Sequence, residues 1–405
     1  MKSGSTFLLA ARQCEIAELE ELARTGELVG AIGRFVHALQ RERGLSNVFL
    51  GSQGQRLGPE RLRQLADSDE AQRAVRALLE HLDTDGGRPR NGARLFSRVA
   101  VALHALEGLP ALRQRVAAQA VSARDATAGY SRLVAALLAV VFEAADSATD
   151  PEVSRALVAM FHFLQGKEFA GQERALGGSL FAAGSIDVAG QQQWRHLIEA
   201  QEACLRVFHD FAGAELQRAD EAGRDPVVTA EVERLRRIGC ASRPGPLDSD
   251  LSPLWYEWAT RRIDAMRTVE DQLALHLRQL CEHRIAQALG ELQDQRALLG
   301  SLAREAAQPD AAPLGPQLER SVLALVQEQS LRLQAMSDEL DAVRASLHER
   351  KLVERAKGLL MAHRQMSEDE AYKALRQMAM QQKRRLADVA EAVLSLADVL
   401  PGGPR

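Results

Sequence analysis

The sequence offers no cysteine framework, few aromatics and no long hydrophobic run, and each shortage removes a class of protein. Its four cysteines, Cys14, Cys204, Cys240 and Cys281, share no paired spacing. Neither a disulfide scaffold nor a zinc ribbon is expected, and a reducing cytosol fits best. Aromatic residues make up 4% of a chain that is 46% hydrophobic. Alanine, leucine, glutamine, glutamate and arginine take their place, the vocabulary of helices and not of strands. The longest apolar run, Leu133 to Phe142, is ten residues, short of the ~20 that a membrane-spanning helix needs. A run of only five apolar residues precedes Arg12, too short for the core of a signal peptide. The expectation is an all-α, cytoplasmic protein with no membrane partner.

Catalytic signatures are missing as well. The chain contains no HExxH, no GxSxG, no CxxC and no glycine-rich phosphate loop after a strand,. His276, Cys281 and His283 lie close in sequence but lack ligand spacing on one helical face. No catalytic residue, metal site or cofactor is expected, and the chain does not read as an enzyme.

What is present is organised in three parts. A length of 405 residues suggests two or three domains, and turn-rich stretches at 83–92, 239–253 and 307–316 mark the joints. Residues 1–305 read as a helical bundle of about seven or eight amphipathic helices. From 317 to 347, Val322, Leu325, Gln329, Leu333, Met336, Leu340, Val343 and Leu347 recur three or four residues apart. This seam, with one stutter, predicts a long coiled-coil-like connecting helix that pairs with a second copy to give a homodimer. Residues 340–399 read as three shorter helices, the second opened by a capping box of Ser367 and Glu370.

Charge separates these parts. The whole chain carries −4, yet residues 350–385 hold ten Lys/Arg against four carboxylates. A polyanionic partner therefore belongs at the C-terminal end.

Two segments stand out within the bundle: "LQRERGLSNVFLG" ending at Gly51 and "AGQERALGGSLF" ending at Phe181 both set a Glu-Arg pair before small and apolar residues. An arginine on a core-facing helix keeps its charge, so it meets a carboxylate, meets a bound anion or reaches to water. A lone arginine is most often a surface or ion-paired residue. Here Arg43 and Arg174 occupy equivalent points of a pseudo-repeat, and two converging guanidinium forks suit a small planar oxyanion.

These stretches, with "WYEWATRRIDAMRTVEDQLA", resemble the NIT domain, a helical nitrate- and nitrite-sensing module. The segment "LHERKLVERAKGLLMAHRQMSEDEAYKALRQMAMQQKRRLADVAEAVL" resembles the ANTAR domain, the RNA-binding module of antiterminators. Their order is similar to that of NasR-type nitrate-responsive antiterminators. The resemblance implies nitrate or nitrite as effector, held by arginines that map to Arg41, Arg43, Arg174 and Arg262, with Arg261 the neighbour that competes for the last place. It also implies a leader RNA with two hairpins, bound by basic residues of the last module: Arg350, Lys357, Lys373, Arg376, Lys383, Arg384 and Arg385. Lysine and arginine neutralise phosphates while exposed loop bases are stacked and read; Tyr372, the module's one aromatic, fits a core role better than a stacking one. Anion binding would shift the population toward a state with the basic face accessible. The rival reading is a DNA-binding regulator with a helix-turn-helix-like C-terminal module, which would prefer a duplex operator. A helical enzyme would instead show turnover without nucleic acid.

Overall fold

A computed structural model describes residues 4–82, 92–240, 244–306, 315–364, 366 and 368–397. The chain divides into two compact units at Glu328 and Gln329. In the first, α1 (Gly4–Gly51) is followed by α2 (Gly58–Glu80), α3 (Gly92–Glu107), α4 (Leu109–Ala117), α5 (Ala123–Ser147) and α6 (Pro151–Ala182). Then come α7 (Val188–Phe211), α8 (Ala214–Gly223), α9 (Pro226–Gly239) and α10 (Leu251–Ala306). The described strands are β1 (Ser185–Ile186) and β2 (Gly245–Pro246), an antiparallel pair. The fold is all-α, as composition predicts, with more and shorter outer helices than the hydrophobic periodicity suggests.

The breaks are local chemistry. Asp150 accepts the Val153 N–H and Asp225 the Val227 N–H, each with proline opening the helix behind it, the preferred arrangement for a helix start. Asp150 also takes two hydrogen bonds from Arg284, at 3.0 and 2.8 Å, so the cap of α6 is tied to α10. α1, α6 and α10 pack on one another at the centre; α2 and α5 cover α1, α7 covers α6, and α8 and α9 lie on α10. Phe181, Trp194 and Trp255 close one end of this core, with the two indoles edge to face at 5.1 Å.

By length and composition alone, α5 and the stretch Gly92–Ala117 could cross a bilayer. In the fold, the apolar face of α5 (Leu133, Val134, Leu137, Leu138, Val140, Val141) is buried and the helix packs against α1, α3 and α6.

α11 (Gly315–Arg364) runs from the end of the first unit into the second, followed by α12 (Glu368–Gln382) and α13 (Leu386–Ala397). The expected connecting helix and the first helix of the last module are thus one helix of 50 residues, because no glycine or proline interrupts the chain between Leu347 and Lys351,. The module's core joins Ala356 and Leu360 to Ala371, Leu375, Ala379, Val389 and Ala390. Along the predicted seam, Leu340 and Val343 are buried within the single chain, while Leu333 and, beside the seam, Leu323, Val326 and Leu331 are exposed. The side chains of Val322 and Leu347, and the capping residue Ser367, lie outside the described residues.

Candidate anion-binding site

Polar groups enter the core in register on three helices. α1 presents Gly33, His37, Gln40 and Gly44, α6 presents Lys167, Gly171 and Arg174, and α10 presents Tyr256, Thr260, Arg267 and Glu270. Spacings of three, four and seven place each set on one helical face. Gly33 lies beside Leu164 and Glu270, and Gly44 beside Arg174 and Tyr256. α1 and α6 therefore run in the same direction and α10 against them, which sets the two Glu-Arg segments side by side.

Arg43 is buried and ion-paired. Its Nη1 donates to Glu168 Oε1 at 2.6 Å and to Ser131 Oγ at 2.8 Å, and its Nη2 donates to Glu168 Oε2 at 3.2 Å. Glu168 also accepts from Gln40 Nε2 at 2.8 Å and Gln172 Nε2 at 2.9 Å. A Cβ on Gly171 would stand 2.6 Å from Arg43 Nη2, so only glycine leaves this guanidinium its place.

Arg174, also buried, is held differently. It donates to Thr260 Oγ1 at 3.0 Å and to the Gln40 carbonyl at 3.3 Å, and lies over the Tyr256 ring at 5.0 Å. Among the described residues it makes no ion pair. Burial, offset by Tyr256 and reinforced by the Arg43 charge, pushes Arg174 below the ordinary arginine range. A buried guanidinium without a counter-ion is costly, and here it packs close against α1 because position 44 is glycine: a Cβ there would come within 2.8 Å of the Tyr256 hydroxyl and 2.9 Å of Arg174 Nη2. The arrangement suits a monovalent, planar anion that accepts paired hydrogen bonds.

The other arginines from the sequence lie elsewhere. Arg41 is exposed, since residues two apart on a helix point to opposite sides. Arg262 pairs with Glu173 at 3.6 Å and is pushed down to about 10, first by burial and then by Arg236. Arg261 points outward, paired with Glu257 at 2.8 Å and stacked on Trp258 at 4.7 Å. The Glu of each Glu-Arg pair has its own arginine. Glu42 binds Arg113 at 2.8 Å and accepts the Tyr130 hydroxyl at 2.7 Å. Glu173 binds Arg236 at 2.7 and 2.6 Å and accepts the Trp194 N–H at 2.9 Å.

His37 and Lys167 deepen the site. Burial, joined by the charges of Lys167, Arg267, Arg41 and Arg174, pushes His37 down to about 2, which keeps it neutral. Among the described residues its Nδ1 has no hydrogen-bond partner. Lys167 is wholly buried against Glu270, which Arg267 also holds at 2.9 Å.

In the last unit, Arg376, Lys383, Arg384 and Arg385 are exposed, Lys373 is half-buried, and Lys357 is buried beside the module core. Arg385 is tied to Glu349 at 2.9 Å and Asp388 at 3.0 Å. The side chain of Arg350 lies outside the described residues, and Tyr372 is half-buried. Met380, 70% exposed, sits between Arg376 and Lys383 on one face of α12. Lys383 ends this helix in the left-handed region at φ 51°. The N–H groups of Lys383 and Arg384 return to the carbonyls of Met380 and Ala379 at 3.3 and 3.1 Å, a Schellman turn that normally takes glycine.

Residues 34–278 match the family model described as nitrate and nitrite sensing, NIT. The chain belongs to the NIT family. Residues 341–394 match the ANTAR domain. The chain is 35% identical over 386 residues to the nitrate regulatory protein of Klebsiella oxytoca, covering 95% of this chain and 93% of that protein. It also resembles the solved structure of the NasR transcription antiterminator, with a TM-score of 0.61, 33% identity, and coverage of 96% of this chain and 98% of that one. A NIT sensor followed by an ANTAR domain makes the chain a nitrate-responsive antitermination regulator, and the RNA-binding character of the ANTAR domain favours this over the duplex-DNA reading.

Within the NIT domain, sequence reasoning missed Gln40, Glu168, Tyr256 and Thr260. The signal was available in part: polar residues three and four apart on otherwise apolar helix faces mark a buried polar layer.

Proposed function

We propose that nitrate or nitrite occupies the cleft between α1, α6 and α10, held chiefly by Arg174 with Arg43 beside it, and that occupancy frees the ANTAR module to bind a leader RNA with two hairpins. The observation that carries this reading is the buried Arg174 guanidinium, which has no ion pair among the described residues and stands next to a second arginine. An anion there would gain charge-assisted hydrogen bonds in a site already stripped of water. Arg43 and Arg174 form the core of the site; Arg41 acts at long range from the surface, and Arg262 supports the neighbouring Glu173 cluster.

On the RNA side, Arg376, Lys383 and Arg384 form the contact face, with Lys373 at its margin. Arg385 contributes less because Glu349 and Asp388 neutralise it, and Lys357 serves the module's interior. The protein works by binding and release in the cytoplasm, as a homodimer joined along the seam of α11 that carries Leu325, Gln329 and Leu333.

Filter binding of the leader RNA to the full chain, with and without nitrate, tests the whole reading. Nitrate raises RNA affinity in the native chain and not in Arg174→Ala. RNA affinity that ignores nitrate would remove the switch, and tighter binding to matched duplex DNA would remove the RNA target. Light scattering of a Leu325→Glu, Leu333→Glu chain tests assembly, with a monomer expected.

A further inference from the structure

The two arginines at the cleft stand in the same pseudo-repeat but are not balanced alike. Glu168 lies six residues before Arg174 on α6, and the residue six before Arg43 on α1 is His37. α6 thus lends a carboxylate to the arginine of α1, at 2.6 Å, while α1 offers a neutral imidazole at the corresponding point. The nearby charges otherwise cancel or face water. Lys167 is matched by Glu270, Arg267 by Glu270 and Asp271, and Arg262 and Arg236 by Glu173 and Glu233. Arg41 and Asp264 are exposed. Counting the groups that line the cleft, Arg43 and Glu168 cancel and Arg174 leaves one buried positive charge.

We propose that Glu168 sets the charge selectivity of the anion site: by neutralising Arg43 it leaves a single uncompensated guanidinium, so that a monovalent oxyanion balances the cleft and a divalent one is rejected. This rests on the reading of the Arg43–Arg174 cleft as the nitrate site. A monovalent anion brings the buried cluster to neutrality. Sulfate would leave a net negative charge in a dry interior and would lose a far larger hydration shell on entry, and both effects disfavour it. Glu168 is held by four hydrogen bonds from Arg43, Gln40 and Gln172, so it is fixed in place as a resident counter-ion. Glycine at 171 keeps the Arg43 fork against it.

Calorimetry on the full chain, with nitrate and sulfate as probes, tests the charge rule. In the native chain sulfate does not compete with nitrate. In Glu168→Gln, where the cleft carries two positive charges, nitrate binds about tenfold tighter or more, and sulfate competes at concentrations that leave the native chain untouched. A folded Glu168→Gln chain with native nitrate affinity and continued indifference to sulfate would overturn the proposal. The pair Arg43→Gln and Arg43→Gln/Glu168→Gln gives a second reading that does not depend on the single variant folding. Arg43→Gln alone leaves the cleft neutral and loses nitrate; removing Glu168 as well restores the single charge and recovers, through Arg174, part of the affinity that Arg43→Gln lost. Failure of the double variant to recover binding would overturn the charge rule while leaving the site standing. Undiminished nitrate binding in Arg174→Ala would remove the site itself, and the rule with it.

Discussion

The Glu-Arg segment of α1 and that of α6 are alike on their outward side and unlike on their inward one. Outward, Glu42 and Glu173 each take an arginine from a peripheral helix and a hydrogen bond from a large aromatic. Inward, Arg43 meets Glu168 while Arg174 meets a threonine, a carbonyl and a tyrosine ring. The outward halves anchor outer helices and keep the chain's repeat. The inward halves differ by one carboxylate: Arg43 has its ion pair, and Arg174 has none among the described residues.

The sharpest way to break the comparison is stability in nitrate-free buffer. Arg43→Ala strands the buried Glu168 carboxylate and costs about 3–5 kcal/mol. Arg174→Ala removes an uncompensated charge and leaves stability unchanged or higher. Urea denaturation of the full chain measures both, and equal losses would mean that the two arginines are held alike.

The outward halves give a second, smaller test. Glu42→Gln and Glu173→Gln each leave a buried or half-buried arginine short of its partner, at a cost on the order of 3 kcal/mol. The Glu173 variant suffers more, because the Arg236 side chain is 7% exposed and that of Arg113 14%. The reverse order in thermal melts would show that exposure does not govern these pairs.

His37, the counterpart of Glu168, should be visible in pH dependence. Its folded pKa of about 2 lies below the unfolded value of ~6.5. The unfolded chain binds the proton first. Stability is fully present above pH ~6.5 and falls as pH drops toward 2, by up to ~1.4 kcal/mol per unit. His37→Gln flattens that part of the profile; an unchanged slope would place the titration elsewhere.

The smallest effect lies in the other unit. Lys383→Gly relieves a left-handed lysine and stabilises the ANTAR module by ~1 kcal/mol, yet weakens RNA binding and reduces its salt slope by up to ~0.7, one phosphate contact to single-stranded RNA. A stabilised module with native RNA affinity would remove Lys383 from the interface.

Much of this was legible in advance. Helical vocabulary gave the all-α fold, and the repeated Glu-Arg pair singled out Arg43 and Arg174, which the fold buries. Arg41 was not separable from Arg43 by motif alone, although the rotation of 100° per residue in a helix puts them on opposite sides. Glu168 was hidden for a different reason. Its partner lies on another helix 125 residues away, and nothing local marks a glutamate as facing inward. Lys357 reads as surface charge, but a long aliphatic stem lets lysine line a small core while its amine reaches a polar partner.

Nitrate titration of the full chain by calorimetry, native against Arg174→Ala, tests the central claim most directly. Loss of the charge-assisted bonds to Arg174 should cost roughly 1.5–3 kcal/mol, ~10–150-fold in affinity, in a chain that remains folded. Native affinity in that folded variant would contradict the account.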